Sequence, residues 1–231
     1  VGASGFSYKE WKGSFYPAGT KDADMLRLYA VELAAVEINA TFYRMPKASV
    51  LAGWGSQVPE HFRFALKASQ RITHRQKLED VADSVDYLWK NAQVLGPKLG
   101  PILYQLPPFL RRDDERLKRF FATLPSGQKA VMEFRHRSWF DETVFACLRE
   151  HGVGLCFSDT DPGDEDDPGL DQPFVSTAGF GYVRLRRAAY DEAALDAWTA
   201  RMRALPVDEL FVFFKHEPTA PALALALRTR F

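Results

Sequence analysis

AVMEFR, residues 130–135, alternates apolar and charged side chains with a period of two, the mark of a β-strand whose faces meet different surroundings. Met132 and Phe134 fall on one face, Glu133 and Arg135 on the other. A closed parallel barrel accounts for this pattern. Its outward positions pack on helices, whereas its inward positions fill the barrel and turn polar toward the C-terminal mouth. The same phase recurs on either side along the chain. In the run 35–39, Val36 and Ile38 read as outward and Glu37 and Asn39 as inward. In 62–67, Phe64 and Leu66 face out and Lys67 faces in. In 181–186, Val183 and Leu185 face out, leaving Tyr182, Arg184 and Arg186 inside. Phe214 outward places Lys215 inside at the end of the last run, while Gln105 and Asp159 close the fourth and sixth.

Eight β-rich runs can be counted, at 1–4, 35–39, 62–67, 101–106, 130–135, 153–158, 181–186 and 210–214. Amphipathic stretches at 24–33, 48–57, 78–95, 113–123, 141–150, 191–204 and 220–230 fill the gaps between them. The alternation predicts an α/β fold, a (β/α)8 TIM-type barrel formed as a single domain over residues 1–231. The connection 159–180 is the exception, being rich in Asp, Pro and Gly. It reads as a long acidic loop, with the run Asp164–Asp167, in place of the helix after strand six. A doubly wound open sheet would bring a Gly-rich phosphate turn after the first strand, but Gly2 to Gly5 lacks the dinucleotide spacing.

Lys plus Arg equals Asp plus Glu, at 30 each, so any electrostatic specificity is local. Cys147 and Cys156 show no zinc or redox spacing and fit a reduced, cytoplasmic setting. No apolar run approaches the roughly 20 residues that span a bilayer. Because the chain starts at Val1 rather than Met, a preceding segment is compatible with the sequence.

Chemistry is expected where the inward charges converge. Lys67, Arg135, Arg184, Arg186 and Lys215 stand against Glu37, Glu133 and Asp159, an excess of two positive charges that an anionic ligand would complete. A self-satisfied ion-pair network is the competing explanation. Glu37 and Glu133, on different strands, form a candidate acid–base pair of the kind used by hydrolases and lyases. Lys67 is a candidate anion ligand or Schiff-base amine. Among the five histidines only His74, His136 and His216, which follow strands and face the catalytic end, are candidates, with His74 a catalytic one beside Glu37, Glu133 and Lys67; His61 and His151 precede strands. A divalent metal is compatible with these donors but is not favoured, since no metal-binding spacing is present. Trp11, Tyr43 and Trp139 lie just past strands and are candidate ligand contacts, together with Asn39, Gln105, Arg135, Asp159, Arg184, Arg186, Lys215 and His216.

Seven segments together resemble one known family: GASGFSYKEWKGSFYP (2–17), VEINATFYRMP (36–46), FRFALKASQRITH (62–74), YQLPP (104–108), EFRHRSW (133–139), YVRLRR (182–187) and FVFFKHE (211–217). They are similar to the YecE-like proteins, the family labelled domain of unknown function 72. The resemblance implies a TIM barrel and supplies no activity. Trp11, Glu37, Asn39, Thr41, Tyr43, Lys67, His74, Gln105, Glu133, Arg135, Trp139 and Arg184 match its motifs. Two places depart from it: Arg186-Arg187 stands where many members have His-Gly, and Lys215-His216 where they have Asn-Asn.

The functional expectation is an enzyme acting on a phosphorylated or nucleotide-like anion at the C-terminal mouth, in which Glu133→Gln abolishes activity at unchanged stability. Two alternatives are a non-catalytic binder of an anionic metabolite or single-stranded nucleic acid, and a metal-dependent phosphodiester hydrolase. Cofactors, protein partners and oligomeric state are not legible.

Overall fold

The computed structural model describes residues 1–161, 172–215 and 218–231. Eight parallel strands, β1 (Gly2–Ser4), β2 (Ala35–Ile38), β3 (Arg63–Lys67), β4 (Leu99–Gln105), β5 (Ala130–Glu133), β6 (Gly154–Asp159), β7 (Phe180–Leu185) and β8 (Glu209–Phe214), pair in sequence order. The sheet closes because β1 pairs with both β2 and β8. Around it run α1 (Met25–Glu32), the short α2 (Ala40–Tyr43), α3 (Ala48–Ser56), α4 (Ala82–Ala92), α5 (Asp114–Phe121), α6 (Glu142–Glu150), α7 (Glu192–Arg203) and α8 (Ala220–Arg228). This is the TIM-type barrel the sequence predicts. The acidic run at 164–167 lies outside the described residues, and the described part of that connection, 172–179, carries no helix.

Register sorts the side chains. Ser4, Glu37 and Ala65 stand level across β1, β2 and β3, as do Gln105 and Glu133, and Ser158, Arg184 and Phe213. One buried cluster, Ala35, Ala65, Leu103, Val131, Cys156, Tyr182, Phe211 and Phe213 among it, fills the barrel. A second, larger cluster holds the alternate strand residues, such as Val36, Phe64, Met132 and Val183, against helix residues such as Leu26, Val85, Leu117 and Leu148. At Gly2 an added Cβ would lie 1.9 Å from the Ala35 carbonyl oxygen. Only glycine lets β1 and β2 approach this closely.

Helix starts follow local chemistry. Asp113, Asp141 and Asp191 each accept a backbone N–H in the first turn of α5, α6 and α7. The predicted helix over 78–95 is shorter than expected. Lys77, Leu78 and Asp80 adopt positive φ ahead of α4, and Gly96 and Pro97 break the chain after it.

Candidate functional site

The inner faces of β2, β5 and β7 bring Glu37, Glu133 and Arg184 together, all three at least 99% buried. Arg184 donates from Nη1 to Glu133 Oε2 at 2.7 Å and from Nη2 to Glu37 Oε1 at 3.0 Å. Glu37 also accepts from Ser4 Oγ at 2.6 Å, Asn39 Nδ2 at 3.0 Å and the Tyr182 hydroxyl at 2.7 Å. Glu133 Oε1 accepts from Gln105 Nε2 at 2.8 Å. Burial alone would raise both carboxyls, but the Arg184 guanidinium and these hydrogen bonds outweigh it. Glu37 is held below the usual carboxylate range, and Glu133 is lowered to about 2. Both are ionised at neutral pH.

That geometry redirects the acid–base expectation. A guanidinium occupies the space between the two carboxylates, and every carboxylate oxygen accepts at least one hydrogen bond. Both glutamates are ionised and so have no proton to give, and both are fully buried. Among the described residues no group of three or more His, Cys, Asp or Glu side chains gathers as metal ligands. With a cation already between the carboxylates, this donor set does not fit a divalent metal.

Above the triad lies a cavity of about 200 Å³ lined by Ser4, Tyr8, Asn39, Tyr43, Lys67, Gln105, Arg135, Arg184, Arg186 and Lys215. Among the described residues its lining holds five cations and no carboxylate. Gly5 shapes one wall with a φ of 101°, where a Cβ would lie 2.7 Å from the Tyr8 ring. Arg135, 8% exposed, has buried Nε and Nη2 atoms without a hydrogen-bond partner among the described residues. Each buried N–H left unmet costs about 1–3 kcal/mol.

Lys67 ends β3 pointing into this cavity. Its Nζ donates to Gln105 Oε1 at 2.7 Å and sits 4.2 Å from the centre of the Phe42 ring. Burial, then the Arg184 charge, lowers its pKa to about 8, against the pull of Glu133 and Glu37. His74, on a π-helical turn at Arg71–Arg75, meets the same Phe42 ring edge-on and pairs Nδ1 with Thr73 Oγ1 at 2.8 Å. Burial, with Lys67 and Arg135 nearby, lowers it to about 4, so it is neutral at pH 7. Tyr43, 74% exposed, separates the cavity from a groove of about 840 Å³ that runs out past Met45 and Lys47 to Tyr87.

Residues 1–231 match the family described as "Protein of unknown function DUF72". The chain belongs to the DUF72 family. It is 31% identical to YunF of Bacillus subtilis over 140 residues, which are 57% of this chain and 50% of that protein. It is also 31% identical to YecE of Escherichia coli K12 over 143 residues, 59% of this chain and 53% of that protein. The chain thus spans about half the length of the curated relatives it matches. A crystal structure of a DUF72 family protein from Thermotoga maritima superposes with a TM-score of 0.84 at 25% identity, covering 99% of this chain and 96% of that one. One from Enterococcus faecalis reaches 0.77 at 18% identity, covering 99% and 94%. Both are likenesses of fold.

Two motif residues of this DUF72 chain, Trp11 and Trp139, and the candidate contact Asp159 do not stand where the sequence places them. Trp11 is 1% exposed, packed among Tyr8, Phe15, Tyr16 and Tyr29. Trp139 is fully buried, stacked 4.7 Å from Phe134, and donates from Nε1 to the Leu110 carbonyl at 2.8 Å. Both indoles hold loops to the outer layer and offer no face to a ligand. Asp159 stands level with outward Leu185 and serves the loop after β7, accepting from Arg187 Nη2 at 2.7 Å and the Tyr190 hydroxyl at 3.0 Å. Ser158 takes the inward position instead. His136 caps its own turn through Ser138, and His216 lies outside the described residues.

Ser4, Tyr8, Phe42 and Tyr182 also contribute to the site but are not among the candidate contacts the sequence offers. The period of two turns Tyr182 inward with Arg184 without giving it a role. Phe42 follows a strand end in an irregular turn and carries no periodic signal.

Proposed function

We propose that this chain is an enzyme whose C-terminal mouth holds a small phosphorylated or otherwise anionic molecule. The observation that carries this reading is that, among the described residues, the cavity lining holds five cations and no carboxylate, with Arg135 Nε and Nη2 buried there without a hydrogen-bond partner. An anion supplies what the guanidinium lacks, and the bond is strong because donor and acceptor are both charged. The buried glutamates act one step back. By holding Arg184 ionised and rigid they fix the cavity floor, which prepares the site for charge before a ligand arrives.

A cavity of about 200 Å³ favours a small molecule over single-stranded nucleic acid, which needs cations spread along a groove to follow its phosphates. That the mouth is catalytic, and not merely a binding site, rests on analogy with other TIM barrels, whose active sites sit at this end. Titration calorimetry with inorganic phosphate tests the binding claim. Binding is expected to weaken as ionic strength rises, and Arg135→Met is expected to weaken it at least about tenfold, the loss of one charge-assisted pair. Absence of any phosphate binding at low salt would sink the proposal.

A further inference from the structure

Lys67 and Arg184 sit in different charge environments. Arg184 meets two carboxylates, whereas among the described residues Lys67 has none within ion-pair distance. Its polar partner is the neutral amide oxygen of Gln105, and its other neighbour is the Phe42 ring. The charged groups acting on it are Arg184 and Lys215, which disfavour its proton, and Glu133 and Glu37, which favour it. His74, on the far side of Phe42, is neutral and adds no charge. Such an amine is partly unprotonated under ordinary conditions. With a pKa near 8, roughly a quarter of it is free base at pH 7.5, against about one part in a thousand for an ordinary lysine.

A free amine is a nucleophile toward carbonyl carbon. The cavity around it has cationic walls and a volume of about 200 Å³. At about 30 Å³ per water molecule, that is the volume of roughly seven waters, which suits a small molecule. We propose that Lys67 is a catalytic nucleophile that forms an imine with a small aldehyde or ketone bearing a phosphate or carboxylate. The proposal rests on the cavity's being an anion site. The Nζ lone pair attacks the carbonyl carbon, and the carbonyl π pair moves to oxygen to give a carbinolamine. The C–O bond then breaks as C=N forms. The oxygen leaves as water with both amine protons, so no oxidant or reductant is needed. Arg135 and its neighbours hold the anionic end, and Gln105 keeps Nζ directed into the cavity.

Reductive trapping tests this. The protein is incubated with sodium cyanoborohydride and, in separate arms, pyruvate, glyceraldehyde 3-phosphate or the neutral propionaldehyde, and labelled lysines are mapped by peptide mass spectrometry. Lys67 is expected to be labelled at least tenfold more than exposed Lys90 by one or both anionic probes, and Arg135→Met to remove that preference without removing labelling by propionaldehyde. Equal labelling of Lys67 and Lys90 by both anions overturns the nucleophile. Preferred labelling of Lys67 by propionaldehyde alone overturns the substrate class. If phosphate binds by calorimetry yet Lys67 is not labelled, the imine fails while the anion site stands; if phosphate does not bind and no anion labels Lys67, both fail.

Discussion

Arg184 Nη1 lies 2.7 Å from Glu133 Oε2 inside the barrel, with both side chains at least 99% buried. With Glu37 on its other amino group, Arg184 bridges two fully buried carboxylates. Removing it strands two charges in a low-dielectric interior. Arg184→Met is expected to destabilise the fold by about 3–5 kcal/mol or to prevent folding. Arg184→Lys is expected to rescue little, since an ammonium cannot span both carboxylates as the planar fork does. Arg187→Ala, which removes a half-exposed pair with Asp159, should cost under about 1 kcal/mol. Urea unfolding of the three variants checks the ranking.

Glu133→Gln keeps the side chain's size but removes one of the two charges facing Arg184. The triad therefore predicts a stability loss of about 2 kcal/mol, part of the cost of breaking a buried pair. Sequence alone leads one to expect unchanged stability. A melting temperature equal to that of the unaltered protein would argue that the Glu133 charge is not needed to hold Arg184.

Acid should lower the protein's stability over two pH windows. The unfolded chain protonates His74 near 6.5, the folded chain only near 4, so stability falls as pH drops through that window. Between about 4.5 and 2 the unfolded chain likewise binds the Glu133 proton first, and stability falls again. His74→Phe should flatten the first window and Glu133→Gln the second, as read from unfolding free energy against pH.

Lys67 shifts in the same direction as His74 and likewise favours the neutral form on folding. Folded Lys67 releases its proton near 8 and unfolded Lys67 near 10.5, so between these values the unfolded chain binds more protons and stability rises with pH. Lys67→Met is expected to be more stable than the parent at pH 7, by about 1–2 kcal/mol after allowing for the lost Gln105 bond. That advantage should disappear by about pH 10.5. A difference between the two proteins that does not change with pH would show that Lys67 titrates normally.

Trp139→Phe removes the indole N–H that meets the Leu110 carbonyl while keeping a ring against Phe134. About 1–2 kcal/mol of stability should be lost and phosphate affinity should not change. A drop in affinity with stability intact would return Trp139 to the binding site.

Much of the site was legible because a strand's period of two converts sequence directly into direction. Once Met132 and Phe134 are taken as outward, Glu133 and Arg135 must point inward, and the same step places Glu37, Lys67, Arg184 and Arg186. Asp159 escaped this reading because it was assigned from its place at a strand end and not from its phase with Phe157. Trp11 and Trp139 escaped it because they follow strands in turns, where no period constrains direction and a large aromatic ring buries itself wherever the outer layer has room.

Alternation of apolar and charged residues, repeated through eight runs, is a local property, and the sequence by itself therefore determined the barrel and which side chains enter it. It could not determine their pairing. Whether Glu37 and Glu133 face a substrate or an arginine depends on stagger and distance across the closed sheet, between residues as far apart in the chain as Glu37 and Arg184. Only the tertiary structure decided that the glutamates are bound beneath the floor of the cavity, that Arg135 is left with unmet donors, and that Lys67 rests on a neutral amide. Coulomb energies and desolvation change steeply over a few ångströms, and those distances are set by closure of the barrel.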